Sequence, residues 1–130
     1  MQKNECFMNI LVFIIASLII ITKLLDVMST LYRIHHASQE TNPIAGRWMA
    51  KYGVKRVSWG VFVVVVVIVI LSSFIVWISP FKTLALTIFI LLGLFVSIVQ
   101  SAVAYANYKG RNNLVTRIVR RVHRLLEMTF

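Results

Sequence analysis

Residues Val57–Phe81 read VSWGVFVVVVVIVILSSFIVWISPF, 25 residues without a charged side chain. In water the five valines Val63–Val67 would suggest a strand. A lone strand in hydrocarbon leaves its backbone groups unpaired, whereas a helix pairs them within the segment. About 20 apolar residues of helix cross a bilayer core, so the run reads as a transmembrane helix over 58–79. Trp59 and Trp77 are then about 27 Å apart, the separation of the two aromatic belts. Two more uncharged runs flank it: Cys6–Thr22, with 17 residues, and Thr83–Tyr108, with 26. The shorter one spans if its helix continues to about Asp26 and Lys23 snorkels. A chain that is 59% hydrophobic is too apolar for a water-soluble fold. The expected fold is a single all-α integral membrane domain with three transmembrane helices, over 6–26 (the helix continuing to about 34), 58–79 and 83–108.

Lysine and arginine set the expected orientation. Arg33, Arg47, Lys51, Lys55 and Arg56 lie between the first two spans. Lys109, Arg111, Arg117, Arg120, Arg121 and Arg124 follow the third, and only Lys3 and Lys82 fall on the other side. The positive-inside rule then puts the N-terminus outside and the C-terminus in the cytoplasm, in a multi-pass protein of the inner (cytoplasmic) membrane. The N-terminal run has a weakly charged start, MQKNEC, and no small-residue cleavage site, so it reads as a retained span rather than a signal peptide. The net charge of +10 fits topology and an anionic inner leaflet. No nucleic-acid-reading module is present, and none is expected as a partner. Cys6 is the only cysteine, which excludes an internal disulfide or a multi-cysteine zinc site.

Two short amphipathic helices are expected at the cytoplasmic interface. Asn42-Pro43 reads as a helix cap and first residue, and Gly53 as a left-handed stop, giving a helix over 43–52. Ile44, Ala45, Trp48, Met49 and Tyr52 would form its apolar face. A second helix is expected over 113–127, capped by Asn113. Leu114, Val115, Ile118, Val119, Val122, Leu125 and Leu126 make one side; Arg117, Arg120, Arg121 and Arg124 line the other, for lipid or a partner protein.

The segment after the first run keeps a polar stripe. On a helix Thr22, Lys23, Asp26, Ser29, Thr30 and Arg33 share a face about 120° wide, backed by Leu24, Leu25, Val27, Met28, Leu31 and Tyr32. A stripe that ends at the membrane edge is expected to face protein or a small aqueous pocket. In the third span Gly93, Ser97, Gln100, Ala104 and Asn107 share a narrow face with Ser101 beside it. Gly93-x3-Ser97-x3-Ser101 is a small-residue pattern that permits close helix approach. Both stripes lie toward the cytoplasm and are expected to face each other, beneath the 43–52 helix. Asp26 would be held by Lys23 or Arg33 with a hydrogen bond from Thr30, and Glu40 and Asn42 would close the site from the loop.

Leu24-Leu25-Asp26-x-x-Ser29-Thr30, then nine residues, then Glu40-x-Asn42-Pro43 resembles a pattern in a family of small, uncharacterised prokaryotic membrane proteins. The resemblance covers about residues 20–45. It implies a few helices in the inner membrane and puts weight on Asp26, Ser29, Thr30, Glu40, Asn42 and Pro43. His35 and His36 lie outside the pattern, and adjacent histidines diverge by about 100° on a helix, so no metal is expected. No phosphate loop, redox motif or nucleophile triad is present, and no cofactor is expected. The expected role is helix association, as a homo-oligomer or as an accessory subunit of a membrane complex. Two others remain open: an enzyme using Asp26 and Glu40, and an oligomeric small transporter or channel.

The orientation has a direct check. A membrane-impermeant maleimide should label Cys6 in intact cells faster than it labels an Asn112→Cys, Cys6→Ser variant. The opposite ranking inverts the topology.

Overall fold

A computed structural model describes residues 2–35, 39–40, 43–109 and 114–129. The chain there is almost entirely helical: α1 (Gln2–Arg33), α2 (Pro43–Tyr52), α3 (Val54–Ile78), α4 (Lys82–Lys109) and α5 (Leu114–Thr129). Helices α1, α3 and α4 are each long and apolar enough to cross a membrane. At 1.5 Å per residue they measure about 48, 38 and 42 Å, all longer than a hydrocarbon core of roughly 30 Å. The valine run lies in the middle of α3.

The ends of these helices have local causes. Gly53 carries the amide that closes α2, donating to the Met49 carbonyl at 2.8 Å. Its own carbonyl accepts from Val57 at 3.1 Å and so opens α3. One residue therefore serves both ends, at φ 93° and ψ 145°. This corrects the expected left-handed stop. Positive φ is there, but the ψ is extended, a combination that only glycine adopts cheaply. It sends the chain straight into α3, which begins at Val54 and so takes in Lys55 and Arg56. At the other end Ser79 is extended before Pro80, as the residue before proline prefers. Its hydroxyl accepts from the Phe81 amide at 3.2 Å, and the Phe81 carbonyl accepts from Ala85 at the start of α4.

Helix α1 packs mainly on α4, and α3 lies against both. Cross-contacts between α1 and α4 keep a nearly constant offset: Glu5 with Lys82, Thr22 with Gln100, and Ser29 with Asn107, the last two pairs both 78 residues apart. The two helices therefore run parallel in one register, with α3 antiparallel between them in sequence. Their buried residues explain the register. Val12, Ile15, Ile19, Thr22 and Ser29 on α1, and Leu86, Phe89, Gly93, Ser97, Gln100 and Ala104 on α4, recur at mostly alternating three- and four-residue steps. That is the spacing of left-handed knobs-into-holes packing.

The apolar core occupies the half of the bundle toward the Ser79–Phe81 turn. Val12, Ile15 and Ile19 meet Val69 and Val76 of α3 and Leu86 and Phe89 of α4. Gly93 sets the closeness of α1 and α4. A Cβ there would overlap Ile15 Cγ2 and stand 3.2 Å from Ile19 Cδ1. Ile15 is branched at Cβ and cannot swing its Cγ2 aside without moving the helix. Ser97 lies on the same seam and is buried. Ser101 is exposed and is not part of the seam, which corrects the expected Gly93-Ser97-Ser101 face. Steps of four residues turn 40° each time, so the third member has rotated away from α1.

Gly93→Ala should lower the melting temperature of the detergent-solubilised protein, with a cost of about 1–3 kcal/mol from overpacking. Leu94→Ala, at an exposed neighbour, should cost less, on the order of 0.5 kcal/mol. Equal losses would mean that the seam does not run through Gly93.

Candidate functional site: the polar ladder between α1 and α4

Beyond Ile19 the α1–α4 seam changes from hydrocarbon to hydrogen bonds. Thr22 is buried, and its hydroxyl lies 2.7 Å from Gln100 Oε1, 2.9 Å from the Leu18 carbonyl and 3.1 Å from that of Ile19. A hydroxyl has one proton, so it donates to one of these at a time. One turn on, Lys23 Nζ and Asp26 Oδ2 form an ion pair at 2.6 Å, with side chains only 13% and 14% exposed. Both belong to α1, so the two charges cancel each other within that helix, without reaching α4.

Asn107 is the cross-link at the end of the ladder. Its Nδ2 donates to Ser29 Oγ at 3.2 Å and to Thr30 Oγ1 at 3.4 Å. Its Oδ1 accepts from Arg33 at 3.1 Å. Ser29 is fully buried, and its hydroxyl donates to the Asp26 backbone carbonyl at 2.8 Å. One amide thus holds three α1 side chains. Tyr32 and Tyr108 flank it, with ring centroids 5.5 Å apart. Interhelical hydrogen bonds in membranes are worth roughly 0.6 kcal/mol on average, so the ladder adds a few kcal/mol to the seam.

The structure brings together Lys23, Asp26, Ser29, Thr30, Arg33 and Gln100 along this edge, but with partners that differ in part from those expected. Asp26 pairs with Lys23. Arg33 goes to Asn107 instead of Asp26, because α1 places it nearly two turns further on. The Thr30 hydroxyl also turns to Asn107. Asn107 was legible as a member of the polar face but not as the hub. The signal was available: an amide near the end of a 26-residue uncharged run needs a partner across the interface. Helix α2 does not roof the ladder. It packs on α3, since the single-residue link at Gly53 keeps it beside the start of that helix.

Glu40 is half-buried at the end of the loop, and Gln39 accepts a hydrogen bond from the His35 amide at 2.7 Å. Asn42 and His36 lie outside the described residues, as does Asn113. Among the described residues no three of His, Cys, Asp and Glu converge on a point that could hold a metal ion. On α5, Arg121 and Arg124 are exposed, and the side chains of Arg117 and Arg120 lie outside the description. The Ser97 hydroxyl is buried without a partner among the described residues, one turn from its nearest polar neighbour on the seam, Gln100. No family model, no curated protein and no solved structure matches the chain.

Double-mutant cycles on detergent-solubilised melting temperature separate these contacts. Asp26→Asn should destabilise, and adding Lys23→Gln should restore much of the loss, with a coupling of about 0.5–3 kcal/mol. Arg33→Gln should couple to Asn107→Leu and not to Asp26→Asn. Additivity of Asp26 with Lys23 would dissolve the pair.

Proposed function

We propose that this chain works by helix association in the inner membrane, as a homo-oligomer or as an accessory subunit of a membrane complex. The observation that carries this reading is how the polar stripe is used. Its carboxylate is matched by Lys23 within α1, and its hydroxyls and guanidinium are bonded to α4. That arrangement suits a structural seam. The three long helices present apolar side chains outward, among them Val63, Val64, Ile68 and Leu71 of α3 and Leu91, Leu92 and Phe95 of α4. Surfaces of that kind take lipid or another apolar helix.

In this reading the N-terminus is outside and the loop and tail are cytoplasmic, from the 11-to-2 excess of basic residues. Helices α2 and α5 lie in the interface. Ile44, Trp48 and Tyr52 of α2 are exposed while Met49 is buried, and Lys51 stands over the Tyr52 ring. On α5, Ile118, Val122, Leu125 and Leu126 are exposed with Arg121 and Arg124. An apolar face beside arginines is matched by an anionic leaflet.

The mass of the detergent-extracted particle tests the reading. Light scattering should give a protein mass of at least two 14.9 kDa chains, or one chain with a stoichiometric partner. A lone chain extracted in mild detergent would overturn it.

A further inference from the structure

Arg33 ends α1 with a full positive charge. Its Nη1 donates at 3.1 Å to Asn107 Oδ1, a neutral acceptor. Asp26, the carboxylate nearest to it along α1, is taken by Lys23 at 2.6 Å. Arg33 itself makes no ion pair among the described residues. The C-terminal end of α1 offsets at most about half of a unit charge.

A guanidinium carries five N–H donors in a planar fork. With Nη1 held by the amide, the Nε–Nη2 edge keeps two parallel donors that meet no acceptor among the described residues. That edge matches two oxygens of one phosphate or one carboxylate. Its orientation is set by Asn107, whose own Nδ2 is tied to Ser29 and Thr30. An arginine that only reaches for water needs no such hold, because ordering a long side chain costs rotamer entropy.

Depth selects between the two anions. At about 42 Å, α4 overhangs a hydrocarbon core of roughly 30 Å by about 6 Å at each end when centred. Asn107 stands about 3 Å short of the last residue of α4, so Asn107 and the guanidinium bonded to it lie just outside the hydrocarbon. Tyr32 and Tyr108 are 66% and 48% exposed beside them, as tyrosines are at headgroup level. Every phospholipid carries a phosphate at that depth, whereas a carboxylate arrives there only on a second protein.

We propose that the Nε–Nη2 edge of Arg33 binds a phosphate group, supplied by the headgroup of a membrane phospholipid; a phosphate ion from solution offers the same oxygens. The site lies within one chain, so it is independent of whether the protein self-associates.

The test titrates the full chain, in mild detergent, with short-chain phosphatidylglycerol and with diacylglycerol of the same acyl chains. Bound lipid is counted by native mass spectrometry. The two ligands differ only in the phosphoglycerol headgroup. The first phosphatidylglycerol should bind at least about tenfold more tightly than diacylglycerol, as one charge-assisted, two-pronged contact provides. Arg33→Gln should remove that preference. Arg33→Lys keeps the charge without the fork and should retain only part of it, and it decides the matter if the glutamine variant does not fold. Arg47→Gln removes an exposed charge on α2 and should leave the preference intact. Inorganic phosphate separates the two sources: competition at concentrations matching the lipid assigns the site to the ion, and failure to compete assigns it to the headgroup. Equal binding of the two lipids, a preference that survives Arg33→Gln, or the same loss in Arg47→Gln would overturn the site. Full affinity in Arg33→Lys would overturn the two-donor edge.

Discussion

The arrangement depends on how closely α4 can approach α1. Gly93 has no side chain at the point where Ile15 and Ile19 cross it. With the backbones that near, short polar side chains further along can reach each other: a threonine to a glutamine, a serine and a threonine to an asparagine. Had the helices been held apart by one more methyl group, the Gln100 and Asn107 amides would lose their partners on α1, each at the cost of a hydrogen bond. Apolar packing at one half of the bundle thus positions the hydrogen bonds at the other. The division follows from solvent: dispersion and shape hold the seam among apolar residues, and polar pairing holds it where polar groups must be satisfied.

Much of this was legible from residue order. Three spans follow from run length, and the stripe from Thr22 to Arg33 stands out because polar residues are rare against an apolar background. The partners were less legible. A helix apolar on all sides hides which side is buried, so the three-and-four spacing of Val12, Ile15, Ile19 and Thr22 gave little contrast. Ser101 fitted a motif written at steps of four, whereas the seam alternates steps and passes to Gln100 and Ala104. Arg33 seemed near enough in sequence to compete for Asp26, but a third element, α4, offers it an amide. The position of α2 was set by the backbone of one glycine, which no side-chain pattern reveals.

The charges at the two ends of the bundle differ in weight. Glu5 and Lys82 are 3.9 Å apart and largely exposed, so that pair contributes little. Lys23 and Asp26 are shorter, more buried and on one helix. Their proximity requires no tertiary structure, only the helix itself. The bonds of Thr22, Ser29, Thr30 and Arg33 to Gln100 and Asn107 all require α4.

That distinction bears on how the chain enters the membrane. The residues that complete the α1 ladder lie 78 positions downstream. At a synthesis rate of about 5–20 residues per second, α1 waits roughly 4–16 s before α4 exists. During that interval its hydroxyls can fall back on their own helix carbonyls, as Thr22 does with Leu18 and Ser29 with Asp26. The ammonium and the carboxylate have no such backbone refuge, but they have each other. A basic and an acidic residue three positions apart let the nascent first span carry charge as a net-neutral unit before its neighbour is made. The ion pair needs only α1 to form, whereas the ladder around it needs the finished bundle.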